Sequence, residues 1–432
     1  MSNATTPLQE VERLAQERAT AHSIDVDRPE GQEQLRAIIH AVIREWSEDH
    51  RRGRRPFDLP DAEGVAQRAF RNLAQYGPLT DLLAADDVWE IMVNAPDAIF
   101  LRRHSGGSRF HHEVFHDDEH VARTVTKLLE DSSTSHRKLD PLEGLQDAQL
   151  DDGSRVHIVH GDLAAGGHLL VNIRKFTGVG ITRLDELVAR RSLTAEAARF
   201  LSAAVRTRLS IVFAGAPGSG KTTLLSCCAA ELDPSLRVVV AEEVFEADVP
   251  LANVASMQTR PGRIDRPEVD LRRLVVGFLR MAPDVAIVGE VRDREALPLL
   301  LTLSSGVTGY TTIHASSARS ALTRLRFVAQ LSDSATQLPI AALNSLVSDA
   351  VDLVVHTERG PQGPRVTSIT AVEDLTAGPD AVQFTTTEVF ARAGLDAELA
   401  WTGVLPIRAG RRLERSGVDV RSVLGEMART AR

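Results

Sequence analysis

At 432 residues the chain is too long for one ordinary domain, and the usual domain sizes suggest about two or three. Its 43% hydrophobic and 25% charged content is that of a folded, soluble protein, and a formal net charge of -9 excludes a chain that coats nucleic acid while leaving room for a local basic groove. No basic segment leads into an apolar core in the N-terminal stretch MSNATTPLQEVERLAQERATAHS, and no window approaches the ~20 apolar residues of a membrane span. The expectation is a cytoplasmic protein without a transmembrane segment, peripheral to a membrane only through partners.

In PEGQEQLRAIIHAVIREWSEDH, residues Leu35, Ile38, Ile39, Val42, Ile43 and Trp46 recur at helical spacing and form one apolar stripe. RRGRRPFDLP then breaks the pattern with Arg51, Arg52, Arg54, Arg55 and two prolines, so residues 1–60 read as a helical leader and linker, its basic run a solvated hinge. Residues 61–205 open helically and continue with the strand-like pieces IMVNA, AIFLRR, SRVHIVH and HLLVNIRKF between turn-rich segments, a mixed α+β domain.

From Arg206 to the end, residues 206–432, the rhythm is strand and helix in alternation: LSIVFAG, KTTLLSCCAAEL, RVVVAEE, VDLRRLVVGFLRMAPD, VAIVGE, REALPLLLTLSSG, GYTTIHA, ARSALTRLRFVAQL. Leu271, Leu274, Val275, Phe278 and Leu279 repeat as one helical face. Continuous apolar strands between helices point to the α/β class, a mostly parallel sheet covered on both faces with ligands beyond the strands' carboxyl ends. Cys227 and Cys228 are neighbours on the helix after the first strand and point in different directions, which suits a reducing compartment rather than a disulfide.

Gly215-Ala216-Pro217-Gly218-Ser219-Gly220-Lys221-Thr222-Thr223 has the G-x-x-x-x-G-K-[ST] pattern between a strand and a helix, where glycines let backbone N–H groups converge on phosphates. Lys221 is expected on the β- and γ-phosphates and the Thr222 hydroxyl on Mg²⁺; Thr223 either adds a phosphate contact or packs. Glu290, just past VAIV, stands where a phosphate-loop enzyme holds the acidic residue that organises Mg²⁺ and water. At the end of VVVAEEVFE, Glu242 is the first candidate to orient water and Glu246 the next, with Glu243 facing solvent. His314 after YTTI can donate to a γ-phosphate oxygen or serve as a structural histidine. Arginines supply the charge that phosphoryl transfer needs: Arg260 and Arg263 in QTRPGRIDRPE, Arg280 near the next helix end, Arg155 in DDGSRVH and Arg174 in NIRKF. Spacing alone leaves open whether any of them converge.

Taken together, YGPLTDLLAADDVWEIMVN, DAQLDDGSRVH, GAPGSGKTTLL, TRPG, LRMAPDVAIVGEVRDREAL, GYTTIHA and SDAVDLVV resemble the secretion ATPases of the type II/type IV superfamily, specifically the CpaF-type motor of Tad/Flp pilus systems, from roughly Tyr76 to Glu373. The resemblance implies a RecA-like ATPase domain over 206–432 and a cytoplasmic homohexameric ring. ATP and Mg²⁺ would sit between the two domains under closing arginines, with motion passed to inner-membrane platform proteins for pilin assembly or export. Lys221, Thr222, Glu242, Glu290 and His314 match the family's motif residues, and Arg155 and Arg174 match its N-terminal-domain arginines. Ala282, Gln149 and Lys175 stand where the family usually has arginine, and Ala216-Pro217-Gly218 where it has glycine-threonine-glycine.

LSSG at Leu303–Gly306 resembles an ABC-transporter signature, but it follows the carboxylate strand instead of preceding it, and that reading fails. A nucleic-acid translocating ATPase for conjugation or packaging is the serious alternative; it calls for a basic channel with stacking aromatics, against 4% aromatic content and negative net charge. No direct nucleic-acid partner is expected. A regulatory subunit that binds nucleotide without turnover is the third reading.

Overall fold

The computed structural model describes residues 6–103, 106–132, 138–175, 181–260, 267–332, 338–374 and 383–424. The chain divides into two compact units, Met1–Thr177 and Gly178–Arg432.

The first unit begins with α1 (Pro7–Ala21), α2 (Pro29–Arg51) and α3 (Ala62–Ala74). A reciprocal cap opens α1: the Gln9 N–H donates to Thr6 Oγ1, and the Thr6 N–H donates to Gln9 Oε1. The apolar stripe of α2 buries Leu35, Ile39, Val42, Ile43 and Trp46 against Val11 and Ala15 of α1 and Ala66, Ala69 and Phe70 of α3. The linker after α2 is largely exposed, and two of its residues pack. Arg55 lies 3.6 Å over the Trp46 ring and pairs with Glu10 at 3.0 Å, while Leu59 is buried, because an aromatic face beside a carboxylate is a better partner for a guanidinium than water alone. Arg51, Arg52 and Arg54 are exposed as read.

The chain continues through α4 (Thr80–Ala84), β1 (Val88–Ala95), β2 (Ala98–Arg103), β3 (Arg109–Phe110), α5 (Asp118–Glu130), β4 (Leu145–Gln149), β5 (Arg155–Val159) and β6 (Leu170–Arg174). The strands form one antiparallel sheet in the order β3-β2-β1-β6-β5-β4. Alternate residues Ile91, Val93, Val156, Ile158, Val171 and Ile173 face a core shared with Val121, Val125 and Leu129 of α5.

The second unit contains α6 (Leu184–Ala189), α7 (Ala195–Arg206), β7 (Ile211–Gly215), α8 (Lys221–Ala229), β8 (Val238–Glu242), β9 (Val254–Gln258), α9 (Leu271–Val276), β10 (Val285–Val288), α10 (Ala296–Ser304), β11 (Thr308–Ile313) and α11 (Ala318–Gln330). It ends with α12 (Ile340–Ala350), β12 (Leu353–Gly360), β13 (Gly363–Val372), β14 (Thr386–Arg392), β15 (Leu399–Trp401), α13 (Ile407–Arg415) and α14 (Val420–Val423). One sheet runs β15-β14-β13-β12-β7-β11-β10-β8-β9. From β12 to β9 neighbouring strands are parallel, and β13, β14 and β15 extend it antiparallel. This is the α/β, RecA-like arrangement, with β11 interposed between β7 and β10.

Both faces are covered, as the uninterrupted apolar strands require. Ile211, Phe213, Val238, Val240 and Ile287 enter one core with α6, α7, α8 and α13, whereas Val212, Ala214, Val239, Ala241 and Val288 enter the other with α9, α10, α11 and α12. Because Phe200 and Leu201 of α7 are buried in the first of these cores, with Phe200 5.7 Å from the Phe390 ring, α6 and α7 fall in the second unit, upstream of the expected division at 205/206. Cys227 and Cys228 are buried free thiols in the same core. Leu279 is exposed rather than part of the buried helical face, because α9 ends at Val276 and a tighter 3-10 turn over Phe278–Met281 rotates it outward. Among the described residues no helix is long and apolar enough to cross a membrane.

Phe200→Ala should lower unfolding free energy by about 3–5 kcal/mol in urea titration. A loss below about 1 kcal/mol would show that α7 is not part of this core.

Candidate functional site

The loop after β7 owes its path to three glycines at positive φ, Gly215, Gly218 (φ +71°) and Gly220. At Gly215, φ is +155°, and a Cβ would stand 2.3 Å from the Thr357 carbonyl oxygen and 2.4 Å from Ser219 Oγ. Gly220, φ +89°, is the left-handed residue that starts α8. Ala216 and Pro217 are exposed, Gly218 is half-buried, and Ser219 is fully buried. Lys221, the first residue of α8, is buried; its Nζ donates to the Ala216 carbonyl at 3.0 Å and lies 3.3 Å from His314 Nδ1. Thr222 and Thr223 are half-buried, and the Thr222 hydroxyl is 3.5 Å from Glu246 Oε2. The cradle thus presents an ammonium, a hydroxyl and the N–H groups of a helix start, the donors an oligophosphate uses.

The facing groups stand at the ends of β8, β10 and β11. Glu242 ends β8, is 3% exposed, and accepts from the Glu246 and Ala247 N–H groups at 3.2 and 3.0 Å. Gly289 leaves it room: a Cβ there would lie 2.7 Å from Glu242 Cγ. Glu290 follows, with Oε1 2.7 Å from His314 Nε2 and Oε2 accepting from Arg292 at 2.7 Å. His314 Nδ1 also lies 3.2 Å from the Gly215 carbonyl oxygen, so the ring sits between the phosphate loop on one side and Glu290 on the other. Arg292 also donates to Glu243 at 3.0 Å, which completes a chain Lys221–His314–Glu290–Arg292–Glu243. Burial pushes the Glu290 carboxyl upward, but the hydrogen bonds from His314 and Arg292 outweigh it and hold it down at about 2. The hydrogen bond to Glu290 likewise raises Arg292 above its ordinary value.

The structure brings the predicted residues into two contact groups, Lys221–His314–Glu290 and Thr222–Glu246, with Glu242 bonded to the Glu246 backbone. Two arginines stand apart from them. The Arg260 guanidinium is exposed and donates to the Pro267 carbonyl at 3.2 Å, and Arg280 is exposed on the 3-10 turn. Arg263 lies outside the described residues. In the first unit, Arg155 and Arg174 are direct cross-strand partners in a row that runs Gln149, Arg155, Arg174, Glu90 across β4, β5, β6 and β1, and Arg102 donates to Glu90 at 2.9 Å. Lys175 is committed to structure: its Nζ donates to the Leu82 and Ala85 carbonyls at 3.1 and 2.7 Å, at the end of α4. Ala282 sits at φ +49°, left-handed, as the cap of the 3-10 turn.

Sequence reasoning missed Arg292, Thr357 and Arg359. Arg292 was detectable as a cation two residues past a strand-end carboxylate. Thr357 and Arg359, which contact the loop from β12, come from more than a hundred residues away, with no local signal.

The depressed Glu290 carboxyl predicts a pH signature. A folded value of about 2 against the ordinary 4.5 gives stability that is present above pH 4.5 and lost as pH falls toward 2. In denaturant titrations the advantage of wild type over Glu290→Gln should be full above pH 4.5 and fade toward pH 2; an advantage that is independent of pH would sink this account.

A family model described as Type II/IV secretion system protein matches residues 72–357. The chain is 36% identical to the conjugal transfer protein TrbB of Rhizobium radiobacter over 231 residues, 50% of this chain and 68% of that one. It is 31% identical to the type IV secretion system protein PtlH of Bordetella pertussis over 310 residues, 66% of this chain and 89% of the relative. The crystal structure of the VirB11 ATPase from the Brucella suis type IV secretion system, in complex with sulphate, is 25% identical, with a TM-score of 0.37 over 71% of this chain and 97% of that one. With the match covering well over half its length, the chain belongs to the type II/IV secretion system protein family.

Proposed function

We propose that the protein is an ATP-hydrolysing motor of a secretion or pilus system, of the Tad/Flp type, working as a homohexamer on inner-membrane platform proteins from the cytoplasmic side. The observation that carries the reading is the contact chain from Lys221 through His314 to Glu290, which ties the phosphate loop to the carboxylate edge of the same sheet.

The residues fit MgATP. Lys221 and the N–H groups at the start of α8 take the outer phosphates, releasing the lysine from Ala216 and His314. Among the described residues no three His, Cys, Asp or Glu side chains form a metal cage, which suits Mg²⁺, an ion that keeps several waters and shares itself with phosphates. The Thr222 hydroxyl and Glu290 would hold it, and it would neutralise charge on the phosphate oxygens. Glu242 and Glu246 stand ready to orient the attacking water, with Glu290 held ionised by His314 and Arg292. His314, bonded to both Lys221 and Glu290, is placed to register the loss of the terminal phosphate. Arg260 and Arg280, exposed in the single chain, are left for a neighbouring subunit.

The similarity to the conjugal transfer protein of R. radiobacter favours a second reading, an ATPase of a conjugal transfer apparatus. Net charge of -9 and 4% aromatics argue against direct contact with the transferred strand even there. ATPase activity stimulated by single-stranded DNA at moderate salt would favour a nucleic-acid motor over a secretion motor.

Purified protein with Mg²⁺ and ATP should release phosphate slowly, and Lys221→Ala or Glu290→Ala should reduce the rate by about a hundredfold or more. Wild-type turnover no higher than that of the two variants would remove the enzyme reading and leave a nucleotide-binding subunit. Light scattering with MgATP should report six copies; a monomer at all concentrations would count against the ring.

A further inference from the structure

The hairpin formed by β12 and β13 meets the phosphate loop at three places. Thr357 Oγ1, 2% exposed as a residue, donates to the Ala214 carbonyl at 3.2 Å and lies 2.9 Å from the fully buried Ser219 Oγ. Arg359 donates to the Gly218 carbonyl at 3.0 Å. Pro364 closes the third side, its Cβ 2.9 Å from where a Cβ on Gly220 would stand. The hairpin is itself anchored: Ser192 Oγ donates to the Pro364 carbonyl at 2.9 Å, the Val366 N–H to the Ser192 carbonyl at 2.8 Å, and Arg365 to the Arg190 carbonyl at 2.6 Å. The family match stops at residue 357, so Arg359 and Pro364 lie beyond it.

We propose that this hairpin is the template of the phosphate loop, with Thr357 and Arg359 as positioning residues that set nucleotide affinity. The inference rests on the nucleotide reading of the site. Each contact takes up a group on the loop that phosphates do not use: a serine hydroxyl, a carbonyl, the flank of a glycine. Holding those groups on one side leaves the loop's N–H groups converging on the other before any ligand arrives. A loop without the template would have to be ordered at the moment of binding, and that entropy is subtracted from affinity. Neither side chain is among the carboxylates and histidine facing the reacting phosphate, so the loss should fall on binding of ground state and transition state alike, and leave turnover at saturation unchanged.

The test uses the full chain, with Mg²⁺ and the fluorescent analogue mant-ATP for affinity and phosphate release for turnover. Thr357→Val keeps the shape and removes the hydroxyl; it should weaken mant-ATP binding and raise KM about fivefold to tenfold, with kcat within about twofold of wild type. Thr357→Ser, which restores the hydroxyl, should return affinity to within about twofold, and Arg359→Ala should weaken binding as Thr357→Val does. If Thr357→Val does not fold, Arg359→Ala, at a half-buried position, carries the same test. Wild-type affinity in the folded variants, or a Thr357→Ser no better than Thr357→Val, overturns the template, as does a fall in kcat at unchanged affinity. Wild type that binds no mant-ATP overturns the nucleotide reading itself, an outcome distinct from wild-type binding with an indifferent Thr357→Val.

Discussion

A parallel sheet buried on both faces has no place for charge along its strands, because an ionised group there would be desolvated without a partner. The charged groups of the site accordingly lie at or beyond the strand ends: Glu242 at the end of β8, Glu290 two residues past β10, His314 one past β11, and Lys221 at the start of α8 after the loop from β7. Adjacent strands lie ~4.8 Å apart, so side chains leaving neighbouring ends meet within hydrogen-bonding range without any long-range design. The interposition of β11 between β7 and β10 is what lets His314 touch the lysine of one strand and the carboxylate of the other.

Much of that arrangement was readable locally. β7, β8, β10 and β11 and the helices around them show as apolar runs and stripes, since two-sided burial leaves no polar alternation to confuse, whereas the half-buried edge strand β9 was not read. The loop and its strand-end carboxylates follow from position. What escaped the reading depends on contacts far apart in the chain. Arg55 packs on Trp46 while the rest of the basic run stays exposed, and α7 joins the second unit through Phe200 against Phe390, a contact no window of sequence contains. Leu279 was misplaced because a helix that tightens into a 3-10 turn breaks the 3.6-residue period that the stripe assumes.

The arginines show the same limit from the other side. A guanidinium looks identical in sequence whether it faces a phosphate or a backbone carbonyl. Register sets Arg155 and Arg174 side by side on β5 and β6, whereas Arg260 gives one bond to the Pro267 carbonyl from an exposed position. Two like charges directly opposite on a sheet cost stability in isolation, and Glu90, next along the row and bonded to Arg102, offsets part of that cost. Lys175, at a position where the resemblance led one to expect a third arginine, caps α4 instead and takes no part in the row.

Cys227 and Cys228, the chain's complement of thiols, are both sealed in the core beneath α8. Burial pushes the Cys227 thiol up to about 12 and Cys228 well above its ordinary value, so neither yields thiolate near neutral pH. With both thiols buried, the folded protein should react slowly with maleimides and other thiol reagents. A cysteine placed at any exposed position would carry a dye or spin label alone, which opens both units to distance measurements during turnover without first stripping the native thiols from the helix that follows the phosphate loop.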